Sequence, residues 1–279
     1  WSHSQGPYPL RRELAHVLEM PAKRIRSIHM EGPGCYGHNG ADDAALDAVL
    51  LARAVVGKPV SLQWMREDEH TWEPYGAATA IKMRASLDAD GGLLDWNHDV
   101  WGYAHSTRAR AAGTVSGLLA AWYLAEPMDR PQPRPIMAPE VGIHRNAEPH
   151  YTFPNRRIVR HFQADSPLRV SALRGLGYYA NVFAIESFVD ELARAAGADP
   201  VAFRLRYLDD PRARAVIEAA VEKAGPKPAA GDGAGALGRG AAFAQYKNRQ
   251  SYVAVVVDLS VNRESERIHL RHDVIAADS

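Results

Sequence analysis

Gly32-Pro-Gly34-Cys35-Tyr36-Gly37 fits G-x-G-x-x-G, the spacing that lets backbone N–H groups approach a pyrophosphate. A dinucleotide site also needs its helix to begin inside the motif, with an acidic residue roughly 20 positions further on. Here His38-Asn39-Gly40 intervenes, helical periodicity starts only near residue 41, and the acidic cluster Glu67-Asp68-Glu69 comes too late. A Walker loop is excluded, because no Lys-Ser or Lys-Thr follows Gly37. What remains is a turn carrying Gly32, Gly34, Gly37 and Gly40 ahead of a helix. Such a turn can present N–H groups to an anion, a phosphate or a metal-oxo group alike. A plain tight turn would use the same residues.

The remaining reactive side chains narrow the chemistry. Cys35 is the one cysteine, which excludes an internal disulfide and any all-cysteine zinc or iron–sulfur site in this chain. It reads either as a small buried hydrophobe or as a thiol beside a site. The twelve histidines show no H-x-x-x-H zinc spacing. Those scattered through weakly patterned stretches, His98, His105, His144 and His150, read as surface or capping residues. Glu67-Asp68-Glu69 reads as a solvated turn. The tracts Arg108–Arg110 and Arg156–Arg160 read as exposed, or as facing an acidic partner subunit.

The elements that must position these residues follow from periodicity. Pro9–Met20 is an amphipathic helix with Leu10, Leu14, Val17 and Leu18 on one face. Ile25–Met30 alternates as a strand does, and Ala41–Val56 is a second helix with Asp42 and Asp43 in its first turn. Val60–Met65 reads as a strand. Ala80–Leu87 and Leu93–Tyr103 form a hairpin around Asp88–Gly92, residues 104–155 form a long loop-rich excursion, and Arg157–Gln163 is a further strand. Tyr178–Ala196 is a long helix, Asp199-Pro200 and Asp210-Pro211 start two more, and 225–240 reads as a flexible connection. Strand-like runs follow near 241–246, 251–259 and 267–276. The expected fold class is α+β: two mixed α/β lobes, 1–160 and 161–279, incomplete at both ends. Lys plus Arg and Asp plus Glu both number 33, so no basic surplus points towards nucleic acid. No apolar run is long enough for a membrane span.

Three separated stretches share an order with one family. Ser2-His-Ser-Gln5-Gly-Pro, then Gly34-Cys35-Tyr36-Gly37, then Ser171-Ala-Leu-Arg174-Gly-Leu-Gly177 resemble the molybdopterin-binding large subunits of the xanthine dehydrogenase and aldehyde oxidase family. Gly34–Leu51 (GCYGHNGADDAALDAVLL) and Ala180–Leu192 (ANVFAIESFVDEL) resemble most closely its isoquinoline 1-oxidoreductase beta subunit and nicotinate dehydrogenase branch. The resemblance covers nearly the whole chain.

It implies roles for matching positions. Gln5 corresponds to the glutamine whose amide reaches an oxo ligand of molybdenum. Gly34, Cys35, Tyr36 and Gly37 correspond to the Gly-Gly-Phe-Gly turn that approaches the metal's oxygen ligand and the pterin. Arg174 corresponds to the catalytic-pocket arginine of Arg-Gly-Phe-Gly. No side chain is expected to ligate the metal directly, since the pterin holds it. Tyr36 stands where the family has phenylalanine, and Leu176 stands where an aromatic often stacks on flat substrates. His38-Asn39-Gly40 replaces a Gly-Lys-Glu run, so a purine is not expected, while an uncharged N-heteroaromatic compound or an aldehyde fits.

The implied activity is molybdenum-dependent hydroxylation with water-derived oxygen. The implied cofactor is molybdopterin in its cytosine dinucleotide form. Electrons would pass to [2Fe-2S] clusters in a separate small subunit, with a cytochrome or another acceptor downstream. The family's catalytic glutamate has no counterpart at 260–279, where Glu264 and Glu266 fall in a turn, and is expected outside this chain. Two alternatives stand beside this reading: a non-catalytic assembly fragment of such a subunit, and an NAD(P)- or FAD-binding dehydrogenase using Gly32–Gly37. Cytoplasm and periplasm both stay open.

Overall fold

A computed structural model describes residues 1–32, 34, 42–105, 112–228 and 235–279. The chain divides into two compact units. Unit 1 comprises Trp1–Ala80, Trp101–Ile143 and His161–Leu176; unit 2 comprises Ile81–Val100, His144–Arg160 and Gly177–Ser279.

Unit 1 begins with α1 (Pro7–Val17), whose proline in the first turn forfeits no helical hydrogen bond. Leu10, Leu14 and Val17 face one way and are buried with Leu46 of α2 (Asp43–Ala54) and with Leu118 and Ala121. Val56, at the far end of the periodic run, is 87% exposed, and α2 stops before it. Glu13 is buried on the inner side of α1, where its Oε1 accepts from Ser116 Oγ and Gly117 N–H, each at 2.7 Å. A helix residue thus holds a turn of the loop-rich excursion. Within 104–155 the described residues form only short 3-10 turns, including Leu119–Tyr123 and Gly142–His144, and no α-helix or strand.

Two strand expectations fail in unit 1. Ile25–Met30 contributes only an isolated parallel bridge, Ser2 to His29, because its one backbone partner is a short N-terminal segment. Val60–Met65 forms no strand and leads into α3 (Arg66–Trp72). Glu67, Asp68 and Glu69 make the first turn of α3 rather than a solvated turn, with Asp68 Oδ2 accepting the Met65 N–H at 2.9 Å. Carboxylates there oppose the positive end of the helix dipole. The unit ends with β1 (Tyr75–Gly76) paired in parallel with β5 (Val170–Ser171).

The expected hairpin is present: β2 (Thr79–Leu87) and β3 (Leu93–Gly102), joined by β4 (Arg156–Phe162) in the order β2-β3-β4. Asp88 Oδ1 accepts the N–H groups of Asp90 and Gly92, closing the turn. Arg157 is exposed, as the sequence suggests, and its guanidinium pairs with Asp99 at 2.9 Å.

Unit 2 packs α4 (Gly177–Ala195), α5 (Pro200–Arg206) and α6 (Pro211–Ala224) with an antiparallel sheet of β6 (Gly235–Gln245), β7 (Tyr252–Asn262) and β8 (Arg267–Asp278). Its core joins Trp96, Tyr151 and Phe153 to Ile185, Val189 and Phe203, among others. Both expected helix starts are capped as their Asp-Pro pairs imply. Asp199 accepts from the N–H groups of Val201 and Ala202, and Asp210 from those of Arg212 and Ala213. The connection expected over 225–240 is shorter, because 235–240 already belongs to β6. The surface reading also fails for His98 and His105, which are 0% and 5% exposed. His98 Nε2 meets Asn181 Oδ1 at 3.0 Å.

Candidate functional site

Gln5, Gly34 and Arg174 all belong to unit 1, and all three are exposed. Cys35, Tyr36 and Gly37 lie outside the described residues.

The Gln5 segment is pinned from both sides. Ser2 N–H donates to Ile28 C=O at 3.0 Å, and Met30 N–H donates to Ser2 C=O at 2.9 Å. Ser4 is buried, its Oγ accepts the Gly6 N–H at 3.0 Å, and its carbonyl lies 3.0 Å from His29 Nδ1. A carbonyl can only accept, so the proton on that imidazole sits on Nδ1. Gln5 is therefore an exposed amide between a buried serine and the start of α1.

The same pairing carries the chain into the glycine turn. A Cβ on Gly32 would stand 3.0 Å from the Cβ of His3, so any side chain there would be crowded against that residue. Gly34 has φ +121°, a conformation that L side chains rarely adopt. On the far side of the turn, Asp42 sits at φ 61° and α2 begins at Asp43.

Arg174 is presented by a turn that β5 anchors. Tyr75 N–H donates to Arg169 C=O at 2.9 Å, and a Cβ on Gly76 would lie 3.0 Å from Leu173 Cδ2. Leu176 N–H closes the turn on Leu173 C=O at 3.0 Å, with Gly175 at φ 86° and Leu176 at φ 53°. A non-glycine residue held left-handed costs on the order of 1–3 kcal/mol and persists only where its surroundings enforce it. Five residues upstream, Arg169 grips Asp43 through two hydrogen bonds of 2.7 and 2.9 Å. The Leu119 N–H donates to the same carboxylate at 2.8 Å.

The connectivity is therefore specific. The Gln5 segment is tied to the chain leading into the glycine turn, and the Arg174 segment to the helix leading out of it. Asp43 was legible only as a helix-dipole partner, and Arg169 carried no local signal, because their contact spans 126 residues. His29 was missed for the same reason. The exposed groups on these segments are the Gln5 amide, the Arg174 guanidinium and the Gly34 backbone, of types suited to an oxygen-rich or anionic group. Among the described residues, no group of three His, Cys, Asp or Glu side chains could hold a metal ion.

Residues 1–123 and 109–208 match the molybdopterin cofactor-binding domain family, and the chain belongs to that family. Over its whole length it is 36% identical to a nicotinate dehydrogenase subunit of Pseudomonas putida and 30% identical to the beta subunit of isoquinoline 1-oxidoreductase of Brevundimonas diminuta. It spans 23% of the first and 33% of the second. The fold matches quinoline 2-oxidoreductase from Pseudomonas putida 86 with a TM-score of 0.61 at 16% identity, covering 97% of this chain and 36% of that one. The mixed helix-and-sheet architecture and the molybdopterin-binding class thus agree with the expectation from sequence. Ile25–Met30, lacking strand pairing beyond one bridge, does not supply the parallel strand that a dinucleotide fold places before its glycines.

Proposed function

We propose that this chain forms the molybdenum-facing part of an oxidoreductase that hydroxylates an N-heteroaromatic compound or an aldehyde with oxygen taken from water. The observation that carries the reading is the tethering of the Gln5 segment to the chain just before the glycine-rich stretch and of the Arg174 segment to the helix just after it. The two relatives matched along the full chain are named for nicotinate and isoquinoline, both N-heteroaromatic compounds.

When bound, a molybdenum–pterin supplies a two-electron redox centre and a water-derived oxygen. The residues here fit such a group: Gly34 holds a backbone conformation open to glycine, and the exposed side chains beside the turn are donors. Gln5 and the N–H groups of Gly34, Cys35, Tyr36 and Gly37 would hold its oxygen-rich side. The amide orients by donating, and glycine lets the backbone come close without a Cβ in the way. Arg174 would face the substrate, where a fixed guanidinium stabilises negative charge developing at the reacting carbon's substituents. The buried Ser4 and the strained Leu176 turn keep the two donors in place while bound substrate exchanges. In this proposal the pterin carries cytidine monophosphate, and electrons leave through [2Fe-2S] clusters of a separate small subunit.

The test is molybdenum and released CMP per mole of the full-length polypeptide, co-expressed with its iron–sulfur partner. Near-equal amounts of both support the cofactor proposed. Well-folded protein holding neither would leave the glycine turn as structure only. A second reading rests on the share of each relative that the chain spans: on its own, the 279-residue chain is an assembly module. Turnover of an N-heterocycle by the isolated chain with a dye acceptor would exclude it.

A further inference from the structure

The sheet of unit 2 packs one face on α6 and keeps its apolar outer face almost free of polar residues. Its inner face buries Phe243, Ala254 and Val256 against Val216, Ile217 and Ala220 of α6. The polar residues of β7 within its span also point inward: Asp258 pairs with Arg239 at 2.6 Å, and Ser260 accepts from Arg271 at 2.9 Å. The outward positions of β7 are then Val253, Val255, Val257, Leu259 and Val261. Register sets Gly238, Gly240 and Ala242 of β6 beside them on one flank. On the other flank stand Ile268, Leu270 and Ile275 of β8, which are 70%, 64% and 63% exposed. Asp273 is the one charged residue among the outward positions of the three strands. None of these outward residues is buried.

An antiparallel sheet with one solvated face turns its polar residues to that face; here the polar residues of β7 lie on the other side, which marks the apolar outer face as one that is covered. A contiguous patch of this kind marks an interface. We propose that the outer face of β6-β7-β8 is the seat of a further segment of the same polypeptide, lying in the part that these 279 residues do not span. Two thirds or more of each full-coverage relative lies outside the matched stretch, a length sufficient for such a segment. A covalently tethered segment also acts at a high effective concentration, which favours it over a second copy. Its chemistry follows from the relief of the face. A Cβ built on Gly238 or Gly240 meets nothing within 4 Å, so β6 forms a shallow trough beside the valine ridge of β7. The segment is apolar and lays its larger side chains along that trough.

The test uses the full-length protein. Val255→Cys and Val257→Cys are each exposed to a charged maleimide, with Ser265→Cys in the β7–β8 turn as the accessible reference and peptide mapping to locate the label. The expected result is labelling at residues 255 and 257 more than about tenfold slower than at 265, independent of protein concentration. Labelling as fast as the reference overturns the proposal, and so does protection that vanishes on dilution, which would assign the face to a second copy. Gly240→Leu provides a readout that does not depend on a thiol. In open solvent this substitution meets no neighbour and leaves the melting temperature unchanged or higher, which would also overturn the proposal. Under a covering segment it lowers the melting temperature.

Discussion

Arg169 sets two terminal nitrogens on the two carboxylate oxygens of Asp43, Nη1 on Oδ2 at 2.7 Å and Nη2 on Oδ1 at 2.9 Å. The pair is largely buried, with side-chain exposures of 14% and 4%, and Arg169 also lies 5.2 Å over the Trp122 ring. Through it, the segment that presents Arg174 is fastened to the first residue of α2. Arg169→Ala leaves a buried carboxylate facing one remaining backbone donor. The expected destabilisation is on the order of 3–5 kcal/mol, measured by urea unfolding. Arg169→Lys should recover less than half of it, because an ammonium cannot reproduce the planar fork. Equal recovery by lysine would show that charge alone, and not the two-point grip, orders the turn.

Gly34→Ala tests the backbone of the glycine turn. At φ +121° an added Cβ is strained whatever space surrounds it. A cost of about 1–3 kcal/mol is expected, together with lower molybdenum content per mole of purified full-length protein. Gly57→Ala is the control: its φ is +82° and nothing lies within 4 Å, so it shares the backbone strain without the proposed site. Equal loss of molybdenum in both variants would reduce the Gly34 effect to general instability.

Gln5→Ala and Arg174→Ala probe the two exposed donors. Neither side chain is buried, so both variants should fold with unfolding midpoints near wild type. Turnover normalised to molybdenum is expected to fall on the order of 10–1000-fold in each, the usual consequence of removing one oriented donor from a reacting site. Unchanged normalised turnover would remove these residues from the site.

How much of this was readable depends on the distance over which each signal acts. The Asp-Pro starts at Asp199 and Asp210, the Asp88–Gly92 turn and the apolar face of α4 are local patterns, and each appears where the sequence places it. Val60–Met65 misled because a short apolar run has no strand identity without a partner, and none of the described strands pairs with it. His98 misled because burial of a histidine is decided by Asn181, 83 residues away. The proposed site followed a similar rule. Its motifs could be picked out by resemblance, while the contacts that hold their flanking segments, Ser2 with His29 and Asp43 with Arg169, belong to tertiary structure.

Glu186 is the hub of a buried network in unit 2. It accepts from Arg204 Nε at 2.9 Å, from Tyr151 OH at 2.8 Å and from the Phe243 N–H at 2.9 Å. Burial pushes its carboxyl up, while Arg204 and these hydrogen bonds pull it down. Glu186→Gln should destabilise the protein on the order of 3–5 kcal/mol, since Arg204 is 1% exposed and would keep only the partly exposed Asp190 as an anionic partner. Adding Arg204→Met should restore part of that loss by removing the stranded charge. A double variant less stable than Glu186→Gln would show that packing around the guanidinium stem outweighs the electrostatic penalty.

His98 gives a pH dependence whose sign can be fixed. Burial pushes its pKa down to about 4, with Asn181 and Asp99 opposing, and its Nδ1 has no partner among the described residues. In the folded protein the ring stays neutral until the pH nears 4, whereas in the unfolded chain it takes up a proton below about 6.5. Between those values the unfolded state binds the extra proton, so this residue's contribution to stability is lost as pH falls from about 6.5 to about 4. The full loss is on the order of 3 kcal/mol. His98→Gln cannot titrate, so its unfolding free energy should change less steeply across that window, by up to about 1.4 kcal/mol per pH unit. The comparison is urea unfolding of both proteins at pH 7 and pH 5, where the other carboxylates and histidines contribute equally to each. Parallel slopes would show that His98 reaches solvent and protonates in the folded state.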